Sequence, residues 1–137
     1  MAELTVTHRY SAPAERVFDA WLDPAIARRF LFTAPGGEVV RCDIDARPGG
    51  RFTIVDRRDG GDIEHVGAYL EIDRPRRLVF TFAVPQFDPT ETTVTVEIEP
   101  DGDGCRLTLT HTAVPPEWVD QDREGWTMIL GALEAAL

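Results

Sequence analysis

The chain has 137 residues, the size of one domain, and 43% of them are hydrophobic, enough for a core and too many for wholesale disorder. It carries 24 acidic and 14 basic residues, a net charge of −10, and every basic residue is Arg. That balance excludes nucleic acid and anionic membranes as expected partners, and the lack of Lys removes Schiff-base chemistry.

No apolar run approaches the ~20 residues needed to span a bilayer. Met1-Ala2-Glu3-Leu4-Thr5 lacks the basic start and apolar stretch of a secretory signal, so a cytoplasmic location is expected. Cys42 and Cys105 lie far apart and no CxxC pair occurs; both are expected to be reduced and inert.

Thr5 to Tyr10 alternates with period two and predicts a strand. Ser11-Ala12-Pro13 signals a helix start, followed by Val17, Phe18, Trp21 and Leu22 at helical spacing. Asp23-Pro24 opens a second short helix, expected to reach Leu31, and Ala34-Pro35-Gly36-Gly37 is a loop. Strands follow over Glu38–Asp45, with Val40, Cys42 and Ile44 on one face, and over Arg51–Arg57, with Phe52 and Ile54 on one side. Arg47-Pro48-Gly49-Gly50 turns the chain between them, and Asp59-Gly60-Gly61-Asp62 is a hairpin connection. Glu64–Ile72 and Arg77–Val84 pair around Asp73-Arg74-Pro75-Arg76, and Pro85–Thr90 is a loop exposing Phe87. Thr93–Glu99 alternates cleanly, Asp101-Gly102-Asp103-Gly104 turns the chain, and Leu107, Leu109 and His111 share one face of the last strand.

After Val114-Pro115-Pro116 a helix runs from about Trp118 to the terminus. From Gly125 onward its polar side chains are Thr127 and Glu134, so burial on several sides is expected, as in a strongly curved antiparallel sheet. The order is β-α-α-β6-α, an α+β chain with one domain over residues 1–137 and an antiparallel sheet of about seven strands.

This order resembles the helix-grip fold of the START/polyketide-cyclase superfamily. Ala12-Pro13, Arg47-Pro48-Gly49-Gly50, Gly67-Ala68-Tyr69-Leu70-Glu71-Ile72, Arg77-Leu78-Val79-Phe80-Thr81, Leu109-Thr110-His111 and Glu124-Gly125-Trp126 together resemble the AHSA-type family, proteins similar to the activator of heat-shock protein 90 ATPase. The chain departs from that pattern at Phe30, where such proteins often carry Trp, and at Leu137, where no capping glycine follows. The resemblance implies a small-ligand carrier with a cavity between sheet and closing helix, or a module that binds a chaperone. It is an analogy of fold and does not establish a reaction.

Trp21, Phe30, Phe52, Tyr69, Phe80, Phe82 and Trp126 form an aromatic set that reads either as solid core or as the wall of an apolar cavity. With Ile54, Val94, Val96, Leu109 and Leu130 it makes up the apolar part of the expected ligand site. Gly125, a mid-helix glycine costing ~1 kcal/mol against alanine, implies close packing against the sheet or room for a ligand. His111 points inward, as a satisfied core histidine or as a ligand contact and proton carrier. Glu71 faces inward if Ile72 lies opposite Arg77, and outward if the loop is one residue longer; the resemblance favours the inward setting, with Glu71 as a polar ligand contact.

His8, His65 and His111 are scattered and show no metal-ligand spacing; no metal or cofactor is expected. Arg57-Arg58 and Arg74 to Arg77 read as solvated turn charges, and Asp120, Asp122 and Glu124 as complements to a helix dipole. No Ser-centred nucleophile motif occurs and no catalytic residue is assigned. The leading expectation is therefore a protein that binds a small apolar or amphipathic molecule. A chaperone-interacting, stress-related module using Phe87, Trp118 and the acidic helix start is the alternative. A cyclase- or hydrolase-type enzyme relying on His111 is a third reading.

Overall fold

The computed structural model describes residues 2–33 and 37–137. Seven strands form one antiparallel sheet: β1 (Ala2–Tyr10), β2 (Glu38–Ile44), β3 (Arg51–Arg58), β4 (Gly61–Asp73), β5 (Arg77–Val84), β6 (Asp88–Asp101) and β7 (Gly104–Val114). Their order across the sheet is β1-β7-β6-β5-β4-β3-β2. A meander from β2 to β7 thus ends beside β1, and every connection within it is local, as short polar turns between alternating runs require. Helices α1 (Ala14–Ala20) and α2 (Pro24–Ala27) sit between β1 and β2, and α3 (Val119–Ala136) closes the chain after a 3-10 turn at Pro116–Trp118. This is the α+β, helix-grip-like architecture.

Most strands sit where the sequence pattern puts them; the main departures are two bulges, one tight turn, and β6, which starts at Asp88 inside the expected Pro85–Thr90 loop because Val84 already pairs with Asp88. In β2 the register shifts between Val39 and Arg41, so Val39 is buried and Val40 is exposed, while Cys42 and Ile44 keep the inward face. α2 ends at Ala27 instead of Leu31. Its start matches the pattern, with Pro24 in the first turn and the Asp23 carboxylate accepting from the Ala25 N–H at 3.0 Å. Beyond it the backbone tightens to i→i−3 bonds at Arg29 and Phe30. That turn buries the consecutive residues Phe30, Leu31 and Phe32, which a regular helix would spread around its circumference. Phe32 adopts φ 59°, a left-handed conformation costly for a side-chain-bearing residue. The expected loop over Ala34–Gly37 lies outside the described residues except for Gly37.

The closing helix is gripped on one stripe. Trp126, Leu130 and Leu133 are buried, Ile129, Ala132 and Ala136 are packed at the flank, and Met128 stays 49% exposed, so the helix is less enclosed than its composition implies. A buried hydrogen bond pins it to the edge strand: the Tyr10 hydroxyl donates to the Leu130 carbonyl at 2.7 Å. Replacing Tyr10 with Phe removes that donor and is expected to cost about 1 kcal/mol. A lower urea midpoint at unchanged m-value is the readout.

Candidate functional site

Strand alternation delivers the aromatic set to the concave face. Phe52 and Ile54 come from β3, Tyr69 from β4, Phe80 from β5, Val94 and Val96 from β6, and Leu109 and His111 from β7. Trp21 and Phe30 enter from the α1–α2 region, and Trp126 and Leu130 from α3. All of these are buried, and Phe82 is half-buried at the rim. Glu71 is not among them. Asp73 rather than Ile72 lies opposite Arg77, which turns Ile72 inward and Glu71 outward, where it meets Arg77 at 3.1 Å. A bulge between Tyr69 and Glu71 then returns Tyr69 to the interior.

The expected central chamber is filled. Phe30 meets Trp21 edge-on at 5.4 Å, and Phe52 meets Phe80 edge-on at 5.6 Å and Tyr69 at 5.7 Å. Between Trp21, Leu31, Phe52, Tyr69, Leu78 and Phe80 the free volume is about 10 Å³, the scale of one water and far below an organic ligand. Here the aromatic residues are core, and the ligand role expected of this group does not find space.

His111 sits at the boundary of that core in a complete relay. The Thr92 hydroxyl donates to the Phe82 carbonyl at 3.0 Å, so its oxygen accepts from His111 Nε2 at 2.6 Å. The other ring nitrogen, Nδ1, accepts from the Trp126 indole N–H at 3.0 Å. Both nitrogens are thus occupied in the neutral state, and a proton added at Nδ1 would face the indole donor. Burial pushes the imidazole pKa down to about 4. This is a satisfied core histidine that orients Trp126, and it has no free lone pair for acid–base work.

Open space lies beside this relay. A groove of about 370 Å³ runs between the first half of α3 and the rim formed by Phe32, Thr33, Arg58, His65 and Phe82. The helix contributes Gln121, Asp122, Glu124, Gly125, Trp126, Met128 and Ile129. Its aromatic wall is ordered: the Phe32 ring is stacked on His65 at 4.7 Å and 5°, and on Phe82 at 4.8 Å and 8°. Trp126 stands edge-on to Phe32 at 5.7 Å. A Cβ placed on Gly125 would meet nothing within 4 Å. The glycine therefore does not serve helix–sheet contact, and its space opens onto the groove.

Two of the groove's polar groups, Arg58 and His65, come from the adjacent strands β3 and β4. Phe52, Ile54 and Asp56 alternate inward on β3, and Asp56 is fully buried. Its carboxylate accepts from the Thr33 hydroxyl at 3.1 Å and forms a short ion pair with Arg58. His65, 6% exposed, holds its Nδ1 on the Ile54 carbonyl at 3.2 Å, and burial pushes its pKa down to about 4. Burial also raises the Asp122 carboxyl above its ordinary value.

Of the residues expected at a site, Phe82 and Trp126 line the groove. Phe32, Thr33, Arg58, His65 and Asp122 line it without being expected there, and Asp56 is buried behind Arg58 and Thr33. A signal existed for Asp56 and Arg58, since the Phe52–Ile54 alternation carries to both, but adjacent arginines before a hairpin read more simply as turn charges. Among the described residues no group of three or more His, Cys, Asp or Glu side chains is placed to hold a metal ion. No helix among them is long and apolar enough to cross a membrane.

Solved structures share the fold, three of them from different bacteria. A protein of Chromobacterium violaceum superposes with a TM-score of 0.88 at 24% identity, covering 100% of this chain and 98% of that one. An AHSA1-like protein from Aeromonas hydrophila gives 0.85 at 21% identity, covering 98% and 91%. CalU16 from Micromonospora echinospora gives 0.74 at 25% identity, covering 98% and 74%. No curated protein matches the sequence. A family model described as Activator of Hsp90 ATPase homolog 1-like protein matches residues 11–137. Since that match takes in the helices, the β2–β7 meander and α3, the chain belongs to the family of Activator of Hsp90 ATPase homolog 1-like proteins.

Proposed function

We propose that this protein is a cytoplasmic, single-domain small-molecule-binding module, with an apolar or amphipathic ligand in the groove between α3 and the Phe32–His65–Phe82 rim. The observation that carries the reading is Gly125. A helix-interior glycine sacrifices ~1 kcal/mol of helix propensity, and here no packing contact explains it: unlike exposed Gly131, whose missing side chain would meet only solvent, Gly125 lines the walled groove. The groove's 370 Å³ falls within the ~300–1,000 Å³ range of small-molecule sites. Its apolar walls with a few polar groups are the usual composition of such sites.

N-phenyl-1-naphthylamine, a neutral fluorescent probe, tests this. The wild type is expected to enhance its emission saturably. Gly125→Leu fills the groove and should weaken binding about tenfold or more. Gly131→Leu, at an exposed position on the same helix with nothing within 4 Å, should leave binding intact. Equal binding by all three proteins, or none by the wild type, overturns the reading.

A second reading follows the family's name: contact with a chaperone through an outer surface. The exposure of Phe87 at 69% and Trp118 at 43% supports it. Loss of chaperone co-purification in Phe87→Ser/Trp118→Ser, with probe binding unchanged, would favour that reading over the groove.

A further inference from the structure

The groove also carries information about the charge of its occupant, and this inference rests on the groove being a binding site. Its polar equipment is biased toward accepting hydrogen bonds and positive charge. His65 Nδ1 is committed as a donor to the Ile54 carbonyl, so Nε2 bears the lone pair. This histidine, 6% exposed, is one of the residues that line the groove.

Asp122 and Glu124 line the opposite wall, and neither has an ion-pair partner within 4.0 Å among the described residues. Arg58 brings the one positive charge of the lining, but the fully buried Asp56 beside it neutralises that charge. The local sum is therefore negative, inside a chain of net charge −10. Aromatic ring faces at Phe82 and Trp126 add attraction for a cation and area for a flat apolar body.

We propose that the groove selects a flat aromatic molecule bearing a cationic amine, its rings against the Phe32–Phe82–Trp126 wall and its ammonium toward Asp122, Glu124 and the His65 Nε2 lone pair. An apolar acid of the same shape would place its carboxylate against the same negative wall and be rejected. Burial raises the Asp122 carboxyl's pKa, and a bound ammonium would reverse that shift, which couples occupancy to a charged Asp122.

Three probes on one skeleton separate the possibilities: 2-naphthylmethylamine, 2-naphthylmethanol and 2-naphthoate, titrated calorimetrically into the whole protein at pH 7. The amine is expected to bind about tenfold tighter than the alcohol, and the acid more weakly than the alcohol. In Asp122→Asn/Glu124→Gln the amine-to-alcohol ratio should fall to about threefold or less, with the alcohol's affinity retained. Alcohol or acid binding as tightly as amine, or a ratio that persists in the double variant, overturns the charge selection while leaving a binding groove. If none of the three binds, the groove is no ligand site and the underlying reading fails with it.

Discussion

Acidification from pH 6.5 to pH 4 is expected to remove about 5 kcal/mol of folding stability, a large part of what a domain of this size has. The source is two buried imidazoles. His65 and His111 are held neutral in the fold, their pKa values pushed from 6.5 to about 4 by burial. In the unfolded chain both titrate near 6.5, so between these limits the unfolded state binds more protons and stability falls as pH falls. Holding each ring neutral contributes about 3 kcal/mol, present above pH 6.5 and mostly lost by pH 4.

The physical obstacles differ at the two sites. At His111 a second proton would oppose the Trp126 indole donor; at His65 it would place a cation in a buried site with the Arg58 guanidinium nearby. The carboxyls of Asp19 and Asp88, held low by Arg74 and Thr90, lose their contribution only further into acid. Asp122, raised by burial, acts in the opposite direction. Urea midpoints taken at half-unit steps between pH 8 and pH 4.5 should fall continuously below pH 6.5. His65→Gln and His111→Gln should each start less stable at pH 8 and show roughly half the slope. A flat profile down to pH 4.5 in the wild type would contradict the neutral burial of both rings.

The sheet was legible in the sequence wherever structure is decided locally. Val94, Val96 and Ile98 alternate against threonines and glutamates, and Gly102 supplies the positive φ its turn needs, so the Thr93–Glu99 part of β6 and the β6–β7 turn follow from neighbouring residues alone, while the Asp88–Thr92 start of β6 does not. The bulges at Val39–Arg41 and Tyr69–Glu71 could not. A single extra residue reverses the facing of everything beyond it, while the local composition barely changes. Glu71 faces outward because Asp73 pairs with Arg77, and the bulge before it lets Tyr69 stay inward; the β2 bulge likewise gives Val39 the position that alternation assigns to Val40. The end of α2 was hidden in the same way: nothing in Arg28-Arg29-Phe30-Leu31 breaks a helix, and the turn is set by where the Phe30 and Phe32 rings find partners.

The candidate site was less legible than the fold because being inward and lining a space are different properties. Alternation identified the inward rings correctly. Whether they enclose volume depends on ring tilt and on Phe32, whose left-handed backbone lays its ring over His65 and Phe82. His111 was recognised as inward, but its neutral state follows from Thr92 and Trp126, residues distant in sequence. Gly125 carried a usable signal, since an unexplained helix glycine implies either contact or space, and the structure selects space.

A second glycine sets the opposite expectation. Gly67 lies across from Phe52 in the β3–β4 ladder, and a Cβ there would run into the Thr81 carbonyl oxygen and the Phe52 ring edge. The ring can swing away, but the carbonyl belongs to the backbone of β5 and cannot yield without separating the strands. Gly67→Ala is therefore expected to cost about 3 kcal/mol or more, at the upper end of overpacking effects. Gly131→Ala, exposed and unobstructed, should gain up to ~1 kcal/mol from helix propensity. Adding Phe52→Leu to Gly67→Ala relieves the ring collision but not the carbonyl one, so rescue should be partial. Phe52 packs on Tyr69, Phe80 and Phe32, and the last of these rings forms the groove wall. Any folded Gly67→Ala protein should accordingly bind the naphthylamine probe more weakly although the substitution lies outside the groove. Equal urea midpoints for wild type and Gly67→Ala would show that β4 and β5 can part at this point, and the coupling from Gly67 through Phe52 to Phe32 would fall with it.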